Sequence, residues 1–111
     1  MSLDILKKNF KEYYELAEFA FKQKKFNASV TLYYKALVEI CDFNLLRNFN
    51  IIGINHQDRF LLLKDNNKEL YQIARKLFGF YRDTYSKTIS EGIAKTIKEH
   101  IENAKRKFME E

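Results

Sequence analysis

The sequence predicts an all-α fold, an antiparallel up-and-down bundle of four long helices and one short helix that forms a single domain over residues 1–111. A chain of 111 residues is long enough for one hydrophobic core. It contains no proline and only three glycines, which argues against a turn-dense sandwich or barrel. Its apolar residues recur at steps of three and four, which is the spacing of one face of a helix.

The first predicted helix covers residues 3–23. Its apolar stripe consists of Leu3, Leu6, Phe10, Tyr13, Ala17 and Ala20. The segment Gln23-Lys24-Lys25 predicts a break, and Asn27 is of the residue type that caps the start of a helix.

The second predicted helix, residues 28–46, is expected to be the central element. Only Lys35, Glu39 and Asp42 are charged in this range, and their spacing of four and then three places them on one narrow strip. A helix that is polar on one strip alone is surrounded on its other sides. Residues 47–57 then predict an ordered connection, in which Phe49, Ile51, Ile52 and Ile54 are expected to cover a surface.

The remaining helices are predicted from their caps and their apolar spacing. A short helix is expected over residues 58–64, and Asn66 with Glu69 has the spacing of a capping box for the fourth helix. The fourth helix has an apolar stripe of Leu70, Ile73, Ala74, Leu77, Phe78 and Tyr81. Thr88 and Glu91 form a second capping box, which is followed by a stripe of Ile89, Ile93, Ile97, Ile101, Ala104 and Phe108.

Composition narrows the functional classes. The 20 Lys and Arg exceed the 15 Asp and Glu by five charges spread along the chain, so solvated helix faces explain them without a polyanionic partner. No apolar run reaches membrane-spanning length, and the first twenty residues carry charges where a signal peptide would be apolar. A lone Cys41 cannot form an internal disulfide, so we expect a cytoplasmic protein without membrane association.

No motif for a cofactor or a metal is present. Cys41 lies in the predicted central helix and is interpreted as an inert core thiol. His56 and His100 lack the partners of a zinc site, although His56 with Asp58 could begin one. A glycine-rich phosphate loop is also missing, so we expect neither a cofactor nor a metal.

The fourth helix carries the most informative cluster. Arg75, Gly79 and Arg82 lie near one another around this helix, with Tyr71, Phe78 and Tyr85 beside them. A helical glycine costs about 1 kcal/mol relative to alanine, so its missing side chain should serve a purpose. Two interpretations follow. Gly79 with Phe78 admits a close helix, including one from a second copy of the chain, or Gly79 leaves a groove for a phosphate or a base.

Several of these segments together resemble the HEPN superfamily of small helical domains. The resemblance spans nearly the whole chain and rests on residues 17–20, 29–37, 56–63, Tyr81-Arg82-Asp83 and the capped helix from Thr88. It implies an up-and-down bundle, often a homodimer, that in many members is encoded beside a minimal nucleotidyltransferase in a toxin–antitoxin pair.

Ribonucleases of this family resemble one another in an arginine, a polar residue and a histidine, with four to six residues between the arginine and the histidine. Arg82 and Asp83 match the first two positions, but residues 87–89 are Lys, Thr and Ile. Without an imidazole the usual proton-transfer group is missing. The resemblance therefore implies a noncatalytic member in which Arg82 and Asp83 contact an anion or a nucleotide, with Arg75 and Tyr85 beside them.

Three functions follow as hypotheses. The leading one is a noncatalytic HEPN-like domain that binds a nucleotide, RNA or a protein partner, as a homodimer formed through the fourth helix. The second is a ribonuclease with a divergent site that uses His56 or Tyr85. The third is a peptide-binding adaptor, because residues 13–36 have the large and small spacing of a tetratricopeptide hairpin, although nothing 34 residues later repeats it.

Overall fold

The computed structural model describes residues 2–110, and in this range the chain forms five helices and no strand. The helices are α1 (Leu3–Lys22), α2 (Phe26–Phe49), α3 (His56–Asn66), α4 (Lys68–Asp83) and α5 (Glu91–Phe108). This confirms the all-α prediction. None of these helices combines the length and the apolarity that crossing a membrane requires.

Helix α2 is the central element, as its sequence predicts. It packs against all four other helices, and its side chains Tyr33, Leu37, Ile40 and Phe43 are fully buried. The exposure of its charged strip decreases from exposed Lys35 to buried Asp42. The strip faces the start of α3. The polar strip is thus the part of α2 that borders a groove.

The expected caps of α2, α4 and α5 are wrong by one or two residues. Helix α2 is capped by Lys25 without a side-chain hydrogen bond, whereas Asn27 lies inside the helix. The Asn27 amide instead donates to the carbonyls of Thr84 (3.1 Å) and Lys87 (2.7 Å) and accepts from the amide of Ile89 (2.9 Å). The backbone groups of this connection lack helical partners, and Asn27 satisfies them.

Helices α4 and α5 are also capped by neighbours of the expected residues. Asn66 still belongs to α3, so Asn67 caps α4 by accepting from the amide of Leu70 at 3.1 Å. Ser90 takes the place expected for Thr88 and accepts from the amide of Ile93 at 3.2 Å. In each case two residues with capping chemistry lie within two positions of each other, and the backbone conformation selects between them.

The connection between α2 and α3 consists of residues 50–55 and is shorter than the predicted range 47–57, because α2 continues to Phe49 and α3 begins at His56. It also covers less surface than expected. Ile51 packs against the core, but Ile52, Ile54 and the last residue of α2, Phe49, are exposed, Ile54 by 83%. Gly53 turns inward, where an added Cβ would lie 3.2 Å from the Cα of Arg59. A side chain at position 53 would therefore require Arg59 to shift by a few tenths of an ångström.

Candidate functional site

A groove with a volume of about 290 Å³ opens between α2 and the first turn of α3, and we call it the α2–α3 groove. Helix α1 contributes one side chain to its wall and α4 another. Its lining residues are Tyr13, Tyr34, Lys35, Val38, Glu39, Asn55, His56, Arg59 and Tyr81. The groove therefore gathers side chains from four helices, which no local stretch of sequence contains.

A buried ion pair holds α3 on α2 at the base of the groove. The Arg59 Nε lies 2.7 Å from the Asp42 Oδ1, and its Nη2 lies 3.2 Å from Oδ2, so the contact is bidentate. The two side chains are only 11% and 9% exposed. Burial alone would lower the pKa of Arg59, but the hydrogen bonds and the charge of Asp42 outweigh burial and raise it.

Arg59 also determines which nitrogen of His56 carries the proton. The Arg59 Nη1 lies 3.3 Å from the His56 Nδ1. A guanidinium can only donate, so Nδ1 accepts and the proton of the neutral ring lies on Nε2. Burial, followed by the charges of Arg59 and Lys35, lowers the pKa of His56 below its ordinary value. Near neutral pH, His56 is thus an uncharged hydrogen-bond donor.

The start of α3 places His56 in the groove. Asn55 caps this helix by accepting from the amide of Asp58 at 2.8 Å, and Asp58 in turn accepts from the amide of Ile54 at 3.0 Å. The two hydrogen bonds cap the start of α3, and one of them engages the Asp58 carboxylate. Asp58 therefore serves the helix start, and the sequence hypothesis of a metal site with His56 gains nothing from the geometry.

Stacked aromatic rings form one wall of the groove. The rings of Tyr34 and Tyr81 are stacked with centroids 4.8 Å apart, and Phe78 contacts Tyr34 and His56 edge-on at 5.8 and 5.7 Å. The buried Tyr34 hydroxyl donates to the carbonyl of Ala74 at 3.3 Å, which ties α2 to α4. The half-buried Tyr81 completes a rigid ring surface beside the donor of His56.

Lys35 and Glu39 supply opposite charges to the groove. They lie four residues apart on α2, yet they form no ion pair with each other. Burial raises the pKa of Glu39 to about 7, and nearby Asp42 adds to the effect, whereas Arg59 and Asn9 oppose it. At neutral pH the Glu39 carboxyl is therefore divided between its neutral and charged forms.

The site residues predicted on the fourth helix lie beside the groove and do not line it. The Arg75 guanidinium lies over the ring of Phe60 at 5.5 Å. Arg82 is exposed, and Asp83 forms a half-exposed ion pair with Lys87 at 3.6 Å. Tyr85 is 78% exposed, and its hydroxyl lies 3.1 Å from that of Tyr81, which connects this face to the groove.

Gly79 and Phe78 have different surroundings. An added Cβ at Gly79 would meet no described atom within 4 Å, so close packing within residues 2–110 does not explain the glycine. Phe78 points inward and packs on Tyr34, His56 and Phe60. Of the two residues, only Phe78 packs on other helices. No described atom outside α4 lies close to Gly79.

Sequence reasoning missed Tyr34, Lys35, Glu39, Asn55, Arg59 and Tyr81 as site residues. One signal was present in the isolated charged strip of α2, which marks the polar side of an otherwise buried helix. Arg59 follows His56 by three residues, a spacing that brings two side chains together on a helix. The stacking of the Tyr34 and Tyr81 rings joins two separate helices, and no sequence pattern predicted it.

Comparisons of the chain with protein-family models, with curated proteins and with solved structures found no match. Within residues 2–110, no three His, Cys, Asp or Glu side chains come together as a metal ion would require. The chemistry of the groove thus consists of hydrogen-bond donors, one carboxyl group and a wall of aromatic rings.

Proposed function

We propose that this chain is a noncatalytic, HEPN-like up-and-down bundle that binds a nucleotide or a segment of RNA in the α2–α3 groove. The proposal includes a homodimer and a nucleotidyltransferase partner in a toxin–antitoxin-like system, as the family resemblance implies. The observation that carries the binding function is the groove itself, in which donors from Lys35, Asn55 and His56 lie beside the stacked rings of Tyr34 and Tyr81.

The donors suit the phosphate of such a ligand. Lys35 is exposed and carries an ammonium group that forms no ion pair with another described residue. His56 adds the donor on Nε2, because Arg59 occupies Nδ1. Charged and neutral donors arranged in this way favour a phosphate, whose oxygens only accept.

The aromatic wall suits the base of the ligand. Stacking of a base on an aromatic side chain contributes about 1–3 kcal/mol and depends little on which base is bound. Tyr81 is half-buried, so one part of its ring faces Tyr34 while another part lines the groove. A base that enters the groove would therefore meet this part of the Tyr81 ring.

The same geometry argues against proton transfer by His56. A general base needs an unprotonated nitrogen directed at the substrate and a pKa near the working pH. In His56 the unprotonated nitrogen is engaged by Arg59, and the pKa is lowered. Binding without cleavage is therefore the function that the groove supports best.

Replacement of Lys35 by methionine tests the binding function. We expect Lys35→Met to weaken the binding of AMP and of a short single-stranded RNA about tenfold, since a hydrogen bond to a charged group contributes about 1.5–3 kcal/mol. The affinities are measured by isothermal titration calorimetry.

The matched control is Lys8→Met, because Lys8 is an exposed lysine of α1 outside the groove. It should bind both ligands as the parent chain does. Arg82→Ala, measured in parallel, reports whether the exposed face of α4 contributes to RNA binding. If Lys35→Met binds as tightly as Lys8→Met, the groove is not the binding site.

A divergent ribonuclease is the second candidate, and the observation in its favour is that His56 lines the groove next to Arg59. Labelled RNA is incubated with the parent chain, His56→Ala and Arg82→Ala. Cleavage that is lost only in His56→Ala would support this candidate, and equal cleavage in all three samples would indicate contamination. The peptide-adaptor alternative stays a prediction, which peptide capture unaffected by changes on α4 would support.

A further inference from the structure

Two opposite charges line the groove one helical turn apart. Lys35 and Glu39 are separated by four residues of α2, so their Cα atoms lie about 6 Å apart along the helix axis. Each charge lacks an ion-pair partner among the described residues, although Asn9 contacts the Glu39 carboxyl. A ligand that fits this arrangement carries an anionic group and, at a distance from it, hydrogen-bond donors.

We infer that the ligand of the α2–α3 groove is a guanine nucleotide, with its phosphate at Lys35 and the edge of its base at the carboxylate of Glu39. This inference rests on the proposed nucleotide binding and specifies its base. Glu39 would act as the specificity-determining residue, since stacking on Tyr81 is available to every base.

The choice of guanine follows from the donors that each base presents. A carboxylate has two oxygens and only accepts hydrogen bonds. Guanine offers two neighbouring donors, N1–H and the 2-amino group, which match the two oxygens of a carboxylate. The edges of adenine and cytosine pair one donor with an acceptor, and uracil has one donor between two acceptors. Only guanine can therefore satisfy both oxygens of Glu39 at once.

The surroundings of Glu39 allow its charged form to be stabilised by such a ligand. The groups that face or influence its carboxyl are Asn9 and Tyr13 from α1, Lys35 and Asp42 from α2, His56 and Arg59 from α3, and Tyr81 from α4. Burial and Asp42 disfavour the carboxylate, whereas Arg59 and Asn9 favour it. Two hydrogen bonds from guanine would further favour the charged form of Glu39.

The preference for guanine should therefore depend on pH in a defined direction. The pKa of Glu39 is about 7 without a ligand, so its carboxylate predominates at pH 8 and its neutral form at pH 6. The ratio of the GMP and AMP affinities should therefore fall between pH 8 and pH 6, by about tenfold at most. The ratio is the informative quantity, because any protonation of His56 acts on the phosphate that both nucleotides share.

The test is calorimetric titration of the full chain with GMP, IMP and AMP at pH 8. We expect GMP to bind at least tenfold more tightly than AMP, since a bidentate contact to a base provides about 1–3 kcal/mol of discrimination. IMP, which lacks the 2-amino group, should bind with intermediate affinity. Glu39→Gln should bring the GMP affinity close to that of AMP, because an amide offers one acceptor beside one donor and cannot accept both guanine hydrogen bonds.

The matched control is Glu12→Gln, which removes an exposed carboxylate of α1 and should keep the preference. Circular dichroism establishes that both variants are folded, and the pH series on the parent chain provides the same test without a substitution. Equal affinities for GMP and AMP, or a preference that survives in Glu39→Gln, would overturn the guanine assignment and leave the proposed nucleotide binding intact. If no nucleotide binds in a manner that depends on Lys35, both proposals fail.

Discussion

At the scale of single residues, Arg59 connects the stability of the fold to the chemistry of the groove. Its bidentate pair with Asp42 joins α3 to α2, and its third contact sets the tautomer of His56. A buried ion pair is not by itself a source of stability, because both charges lose their hydration. Removal of one partner is nevertheless costly, since the other charge then remains buried and unpaired.

Asp42→Ala should therefore lower the free energy of unfolding by about 3–5 kcal/mol. Urea denaturation followed by circular dichroism measures the change. Asp83→Ala is the control, because the pair of Asp83 with Lys87 is largely exposed and should contribute about 1 kcal/mol or less. The double variant Asp42→Leu with Arg59→Met should recover most of the loss, as it leaves no buried charge. Similar small losses for Asp42→Ala and Asp83→Ala would contradict this account of Arg59.

At the scale of the elements, the helices follow from local periodicity, whereas their ends depend on neighbours in space. The predicted ranges 3–23, 28–46 and 58–64 agree with α1, α2 and α3 to within three residues at each end. The side chain of Asn27 shows why the ends are less certain. It has capping chemistry, but the backbone of the connection between α4 and α5, which is distant in sequence, takes up all of its hydrogen bonds.

Asn27→Ala should consequently destabilise the connection between α4 and α5. The sequence did not predict that Asn27 contacts this connection. The loss of three hydrogen bonds predicts a decrease of about 2–3 kcal/mol in the free energy of unfolding. Amide hydrogen exchange should become faster in residues 84–90. The control is Asn66→Ala. It removes an exposed hydrogen bond from Asn66 to the carbonyl of Leu62, both in α3, and should have little effect on the free energy of unfolding. Unchanged exchange in residues 84–90 would show that Asn27 does not hold this connection.

At the scale of the whole molecule, polar contacts complete what hydrophobic packing begins. Helices α1 and α5 both pack on α2, and side-chain contacts join them to each other. The Tyr14 hydroxyl donates to Glu102 at 2.5 Å, and Lys98 pairs with Glu18 at 3.2 Å. Burial and these carboxylates raise the pKa of Tyr14. The side of α4 around Gly79 has no comparable partner in the described chain.

The proposed homodimer predicts that a large side chain at Gly79 blocks association. Gly79→Leu should halve the mass measured by light scattering and leave the monomer folded, because an added Cβ meets no atom of the described chain within 4 Å. Gly92→Leu is the control, since Gly92 is an exposed glycine near the start of α5. A dimer that persists in Gly79→Leu would place the interface elsewhere, and a parent chain that is monomeric would exclude the homodimer.

The sequence by itself determined the all-helical fold, the central position of α2 and the polar strip of Lys35, Glu39 and Asp42. These properties depend on side chains a few residues apart, which helical geometry brings onto one face. Only the tertiary structure decided that the strip would meet His56, Arg59 and Tyr81, and that the predicted arginine face of α4 would lie beside the groove. Contacts between distant segments depend on how helices pack, and apolar periodicity specifies which face is buried without specifying its partner.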